Sequence, residues 1–425
     1  MKKKRGSVKF SKLLKQTVFA ILIFGIILLA SERILSFVLI KPLTTFINVD
    51  ELGKGVPVVV SKEPYSKWER GSLEQVPSIE NGSLDVRSYM LDKIKLTEEN
   101  LDYIEFDTDT EWVDSLPESF SPEEVMETGK NPGLGIKELH KQGITGKGVN
   151  IAIIDQGLLL EHEEYADNIM MYEKIHCYDE GASMHGPAVT SIAVGKNIGV
   201  APDAKVYYIA STFGTYTLLS GKTNLKYMAE GIERVLEINK ALPEDEKISV
   251  ISISMGHEKG MNGYKKVYEA IERAKEAGIF VITTSTARNY DFNLWGLGRL
   301  LHDDPESADS YGPGIFWEDY YTSNLELENK AFQNMLMVPM DSRTYASFTE
   351  TDSYAFSRSG GLSWSVPWLA GMYALCVQVN PDITPEEFIE SALNTGSTVP
   401  YEYEGKTYQF GNIINPQKLI ETVKN

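Results

Sequence analysis

Four short apolar runs, spaced by stretches of helical periodicity, constrain this 425-residue chain more than any other feature. Val149–Ile154 lies between Gly148 and Asp155. Lys205–Ala210, Ile248–Ile253 and Ile279–Thr283 follow the same pattern, and Met335–Pro339 is a later candidate. Runs of this length without polar alternation predict strands buried on both faces, as in a parallel sheet. Between them Leu225, Met228, Ile232 and Val235 recur at helical spacing, as do Tyr264, Val267, Ile271 and Ala274, with Gly278 placed to end that helix. Strand–helix alternation of this kind predicts an α/β fold of three layers, a doubly wound and mostly parallel sheet with helices on both faces.

The N-terminus reads as a targeting element. Residues 1–41 carry nine Lys/Arg and one acid, whereas the whole chain has a formal net charge of −19. The remainder is therefore strongly acidic, which excludes nucleic acid as a partner. A basic flank over 1–16 precedes the apolar run Thr17–Ala30, and Ile34–Ile40 is apolar again. Fourteen helical residues span about 21 Å, short of a hydrocarbon core of about 30 Å, so a cleaved signal peptide fits. Helix over 17–40 would be long enough to anchor, and no small-x-small cleavage site follows the run. A retained membrane anchor is the favoured reading. In either case the basic flank stays in the cytoplasm and the rest is exported, at the cell membrane or secreted.

Residues 41–130 are acidic and broken by turn signals such as Glu63-Pro64 and Asn81-Gly82, with one candidate folded unit at Asp85–Glu111. They read as a solvated stalk or a prosegment. The main domain is expected over 131–425, with an irregular insertion at Arg288–Gln333 and a capped helix at Thr384-Pro385-Glu386-Glu387. The two cysteines, Cys177 and Cys376, lack metal spacing and read as buried free thiols, with a disulfide between them as the alternative.

Three chemistry-bearing residues stand at element ends. In Gly360–Gly371, G-G-L-S-W-S-V-P-W-L-A-G, Ser363 sits at or just before the start of an apolar helix, where free N–H groups and the helix dipole favour developing negative charge. Asp155 closes the first strand in I-A-I-I-D-Q-G-L, and His185 precedes a helix of small residues in S-M-H-G-P-A-V-T-S. Sites in open parallel sheets form beyond the carboxyl ends of the strands. A serine is a poor nucleophile until a base takes its proton, and the base must be oriented by an acid. This chain holds all three types, in the order Asp, His, Ser.

Three segments resemble the subtilisin-like serine proteases, the subtilase family. These are Gly146–Leu158, His185–Ala193 with G-V-A-P-D-A-K-V-Y-Y-I from Gly199, and Gly361–Gly371. The resemblance runs from about Asn131 to the C-terminus. It implies a subtilisin-like fold and peptide-bond hydrolysis through an acyl-enzyme, with Ser363 as nucleophile, His185 as general base and Asp155 as its orienting acid. Alignment on Pro367-x-x-Ala370-Gly371 selects Ser363 over Ser365. Ser254, Met255 and Gly256 resemble the strand along which the family lays extended polypeptide substrate. No cofactor is required, and structural calcium is implied as an option, with no ligand run to place it.

The chain departs from the family in four places. Ala188 replaces a second histidine, Leu362 a threonine and Trp364 a methionine. The family's oxyanion asparagine has no gapless counterpart in T-T-S-T-A-R-N over 283–289: Ala287 aligns there, and Asn289 fits only with a two-residue bulge. Thr284 and Thr286 are substitutes as donors. Losing a side-chain oxyanion donor costs about 10²–10³ in turnover. The leading expectation is thus an exported serine endopeptidase; the alternative is a catalytically weak or inactive surface binding or regulatory module. A metallohydrolase is disfavoured because His162-Glu163 lacks the second histidine of H-E-x-x-H, and a nucleophile-elbow esterase because no G-x-S-x-G occurs.

Overall fold

The computed structural model describes residues 17–424 apart from 326–333 and positions 20, 29, 33, 37–38, 69, 115, 179–180 and 218. The basic flank over 1–16 and the end of the Arg288–Gln333 insertion lie outside the described residues.

The main sheet contains seven strands: β1 Leu43–Thr45, β2 Val58–Val59, β3 Asn150–Asp155, β4 Ile169–Cys177, β5 Lys205–Ser211, β6 Ile248–Ile253 and β7 Phe280–Thr283. Their order is β1-β4-β5-β3-β6-β7, with β2 also on β4. All pairings are parallel except β1 with β4. The expected strands therefore form where the apolar runs lie, and Met335–Pro339 forms too, but in a second sheet beside Asn293–Gly298. Helices α1 His185–Val194 and α4 Leu362–Val379 pack together on one face. Helices α2 Lys226–Ala241 and α3 Tyr264–Glu276 cover the other. The Thr384 capping box is made as the sequence predicts. Cys177 and Cys376 are both buried and unjoined.

The chain runs from β3 to β4 and β5 on one side and then to β6 on the other. The switch between β3 and β6 opens a crevice at their carboxyl ends. β3 is buried at every residue, and between Asn150 and Asp155 at its two ends its side chains are all apolar.

A solvated stalk would leave 41–130 without tertiary partners, yet this segment is woven into the body. β1 and β2 extend the main sheet through β4. Ile104–Asp107 pairs with Tyr354–Ser357 in a four-stranded sheet, and Leu84, Ile104, Phe106, Phe120 and Val125 share a core with Phe356 and Leu301. Two buried ion pairs fasten it further. Glu63 meets Lys174 at 2.6 Å. Arg234 on α2 grips Glu173 at 2.9 and 3.0 Å, and together they take both backbone groups of Ile47. The turn signals at Glu63-Pro64 and Asn81-Gly82 thus mark loops of an attached unit. Its apolar residues between Leu84 and Val125 pack mainly on one another, and Leu301 and Phe356 of the body close that core.

Removing one member of a buried pair strands the other charge at a cost of about 3–5 kcal/mol. Arg234 also pairs with Glu237 at 2.8 Å, so Glu173→Ala is expected to lower unfolding free energy in urea by less than that amount, and Glu173→Gln, which keeps hydrogen-bonding capacity, by less still.

Candidate active site

Asp155 ends β3 with 4% of its surface exposed. A carboxylate so placed needs strong partners. Its Oδ1 accepts from the backbone N–H of Gln156 at 2.8 Å and lies 2.6 Å from Nδ1 of His185, the first residue of α1. The Tyr208 hydroxyl donates to the Gln156 carbonyl at 2.5 Å, fixing the turn that carries Asp155. Burial of His185 disfavours its protonated form, but the charge and hydrogen bond of Asp155 outweigh that and hold the imidazole above its usual pKa.

The His185 ring lies 5.4 Å from the Trp364 indole, centroid to centroid, which sets it against the first turn of α4. Ser363 is the second residue of that helix and is half-exposed, whereas Trp364 and Ser365 are buried. Ser365 donates to the Val338 and Pro339 carbonyls and so ties the helix to the second sheet.

The approach to α4 has its own constraints. Gly361 has φ +61°, and a Cβ on Gly360 would overlap the Trp364 indole. Asp341 is fully buried and accepts from the N–H groups of Gly360 at 3.3 Å and Ile315 at 2.8 Å; burial pushes its carboxyl up to about 6. Sequence reasoning missed Asp341, although M-L-M-V-P-M-D repeats the strand-then-acid signal of Asp155.

Pro367 has no N–H to give to the carbonyl of Ser363 four residues earlier. The Ser254 hydroxyl fills that position at 2.9 Å, joining the segment after β6 to the serine's own peptide unit. Met255 and Gly256 continue from it. The Met255 carbonyl accepts from Thr284 N–H at 3.4 Å, and a Cβ on Gly256 would sit 2.9 Å from the Thr284 hydroxyl.

Asn289 is not brought to this cluster. Its Nδ2 donates to Glu272 at 2.7 Å, its Oδ1 meets His257 at 2.9 Å, and its carbonyl accepts from Lys275. The Thr286–Arg288 helical turn and the pairing of Arg288 with Glu258 turn this residue toward α3. Thr286 is spent on the Phe292 carbonyl and the Leu294 N–H. Thr284 stands one step beyond Thr283, the register partner of Ile253, just as Ser254 stands one step beyond Ile253. Among the described residues no three His, Cys, Asp or Glu side chains gather as a metal site, so no calcium-binding residues are assigned.

Residues 146–299 match the model of the subtilase family. Over that stretch the chain is similar to the subtilase family. It is 26% identical over 295 residues to the serine protease AprX of Bacillus subtilis, covering 61% of this chain and 64% of that one. To the subtilisin-like protease PopC of Myxococcus xanthus it is 24% identical over 299 residues, covering 64% and 60%. To subtilisin E of Bacillus subtilis it is 22% identical, covering 67% and 68%. The chain thus spans less than two thirds of the length of AprX and PopC.

The Asp155–His185 pairing is directly measurable. The His185 ring protons are expected to titrate in NMR with a midpoint above about 6.5. Asp155→Asn removes the charge and leaves burial dominant, so the midpoint should fall below that value.

Proposed function

We propose that this chain is an exported serine endopeptidase held at the membrane by its N-terminal helix. The observation that carries the reading is the 2.6 Å bond from a buried strand-end carboxylate to a histidine set over the first turn of the helix that bears Ser363. In this scheme His185 Nε2 takes the Ser363 proton as Oγ attacks the scissile carbonyl, while Nδ1–H donates to Asp155. The tetrahedral intermediate collapses as His185 passes the proton to the leaving amine. Water, deprotonated by the same histidine, then releases the acyl group and restores Ser363. Because the base must be neutral, kcat/KM should fall as pH drops through the raised His185 pKa.

The first-turn N–H of Ser363 and the Thr284 hydroxyl are the assigned oxyanion donors; the register beside Ser254 supports Thr284, and the engagement of the Asn289 amide with Glu272 argues against Asn289. Extended substrate would lie along Ser254–Gly256. For the anchor, the support is the 20-residue helix Thr17–Ser36, with mean hydropathy 2.3 and no burial. Leu39 and Ile40, just after it, line a cavity of about 430 Å³ together with Gln156, the neighbour of Asp155. A site so close to the end of an apolar helix would meet polypeptides presented at the bilayer surface. The other apolar helix of sufficient length, α4, is mostly buried in the domain.

The departure at Asn289 favours one rival, a catalytically weak or inactive binding module. A fluorophosphonate probe separates the two: labelling of mature protein, lost in Ser363→Ala and kept in Ser365→Ala, supports the enzyme, and an unlabelled wild type supports the rival. Ser365→Ala should cost about 1 kcal/mol of stability. With a quenched fluorescent peptide, Thr284→Val should lower kcat about 10²-fold at near-constant KM. Asn289→Ala should lower stability and change kcat less than about threefold.

A further inference from the structure

A cavity of about 440 Å³ opens beside the chain that leads into α4. Its walls come mainly from residues 77–105, outside the stretch that matches the family model, and from Phe316 and Ser359. Ser359 lies four residues before Ser363, a span of at most about 14 Å of extended chain. Phe316 is 49% exposed, and its Cε2 would sit 3.9 Å from a Cβ on Gly361, so the cavity wall continues into the approach to the serine.

The chemistry of this cavity is acidic. Glu80, Asp85 and Glu105 line it against one guanidinium, Arg87. Asp85 and Glu105 are register partners on parallel strands, which puts their carboxyls on one face. Arg87 spends its donors on both Asp85 oxygens, at 3.0 and 2.9 Å, and on the Tyr345 hydroxyl at 3.0 Å. Arg70 also goes to Asp85. Glu105, with only 8% of its side chain exposed, is left with weak partners: Arg87 at 3.8 Å, the Ser359 N–H at 3.4 Å and the Ser83 hydroxyl. Burial pushes its carboxyl up to about 7 despite Arg87, so a second cation beside it would stabilise the charged form. Glu80 stands exposed on the same cavity.

We propose that this cavity receives a lysine or arginine side chain of the polypeptide substrate, close to the bond attacked, with Glu105 as its partner and Glu80 as the exposed second carboxylate. The assignment rests on the proteolytic reading above. A charge-assisted hydrogen bond to a buried carboxylate corresponds to about a tenfold preference or more.

The test uses the full-length protein in detergent and a peptide library made from a proteome by cleavage after glutamate, which retains internal basic residues. Mass spectrometry of the new termini should find Lys or Arg enriched about tenfold at a fixed position within about four residues of the cut. For a matched peptide pair carrying lysine or norleucine there, the kcat/KM ratio should collapse toward one in Glu105→Gln. Rates are normalised to the fluorophosphonate-reactive fraction, so partial misfolding cancels. If Glu105→Gln does not label at all, Glu80→Gln is read instead and should reduce the ratio about threefold. No enrichment, enrichment of Asp or Glu, or a ratio unchanged in the variant overturns the assignment while leaving the protease intact. A wild type that neither cleaves nor labels removes the protease reading and this one with it.

Discussion

The central strand Asn150–Asp155 is buried along its whole length, and the site is built around the carboxylate in which it ends. A buried carboxylate has to be met by donors, and here the donors come from the next residue's backbone and from the first residue of α1. That demand fixes where α1 begins and how the His185 ring is held. The ring in turn rests against Trp364, which settles the position of the first turn of α4. Strand end, histidine and the first turn of α4 are thus parts of one arrangement, made at the switch between β3 and β6.

The second tie runs through a missing donor. Pro367 leaves the carbonyl of Ser363 without its helical partner, and Ser254 supplies the bond from the end of β6. The proline therefore couples the helix that bears Ser363 to the segment after β6. Asp341 performs a similar service from the other side by holding Gly360 and Ile315. Neither tie is visible as a motif, because each joins residues at least 19 positions apart in the chain.

Most of the sheet was legible in sequence. Ile248–Ile253 and Met335–Pro339 form at the expected residues, and the other runs shift by one position at one end or, for Val149–Ile154, at both. Strands buried on both faces leave short apolar runs, here bounded by turn residues and rich in β-branched side chains. The region 41–130 was not legible in the same way. Its strands are two to four residues long, too short for a period to register, and they are stabilised by partners such as Tyr354–Ser357 and Glu173 that lie far along the chain. The oxyanion segment was ambiguous for a related reason. Thr284, Thr286 and Asn289 are all capable donors, and only the turn over Thr286–Arg288 shows that Thr286 and Asn289 are engaged elsewhere.

By itself the sequence determined the class of fold and the order Asp155, His185, Ser363, because periodicity, strand-end acids and glycine–proline spacing are local signals. The tertiary structure alone decided that Asn289 turns toward α3, that residues 41–130 belong to the body, and that Glu105 lies beside the approach to Ser363. Those outcomes depend on which distant groups compete for the same donors and the same buried space, and that competition exists only once the chain is packed.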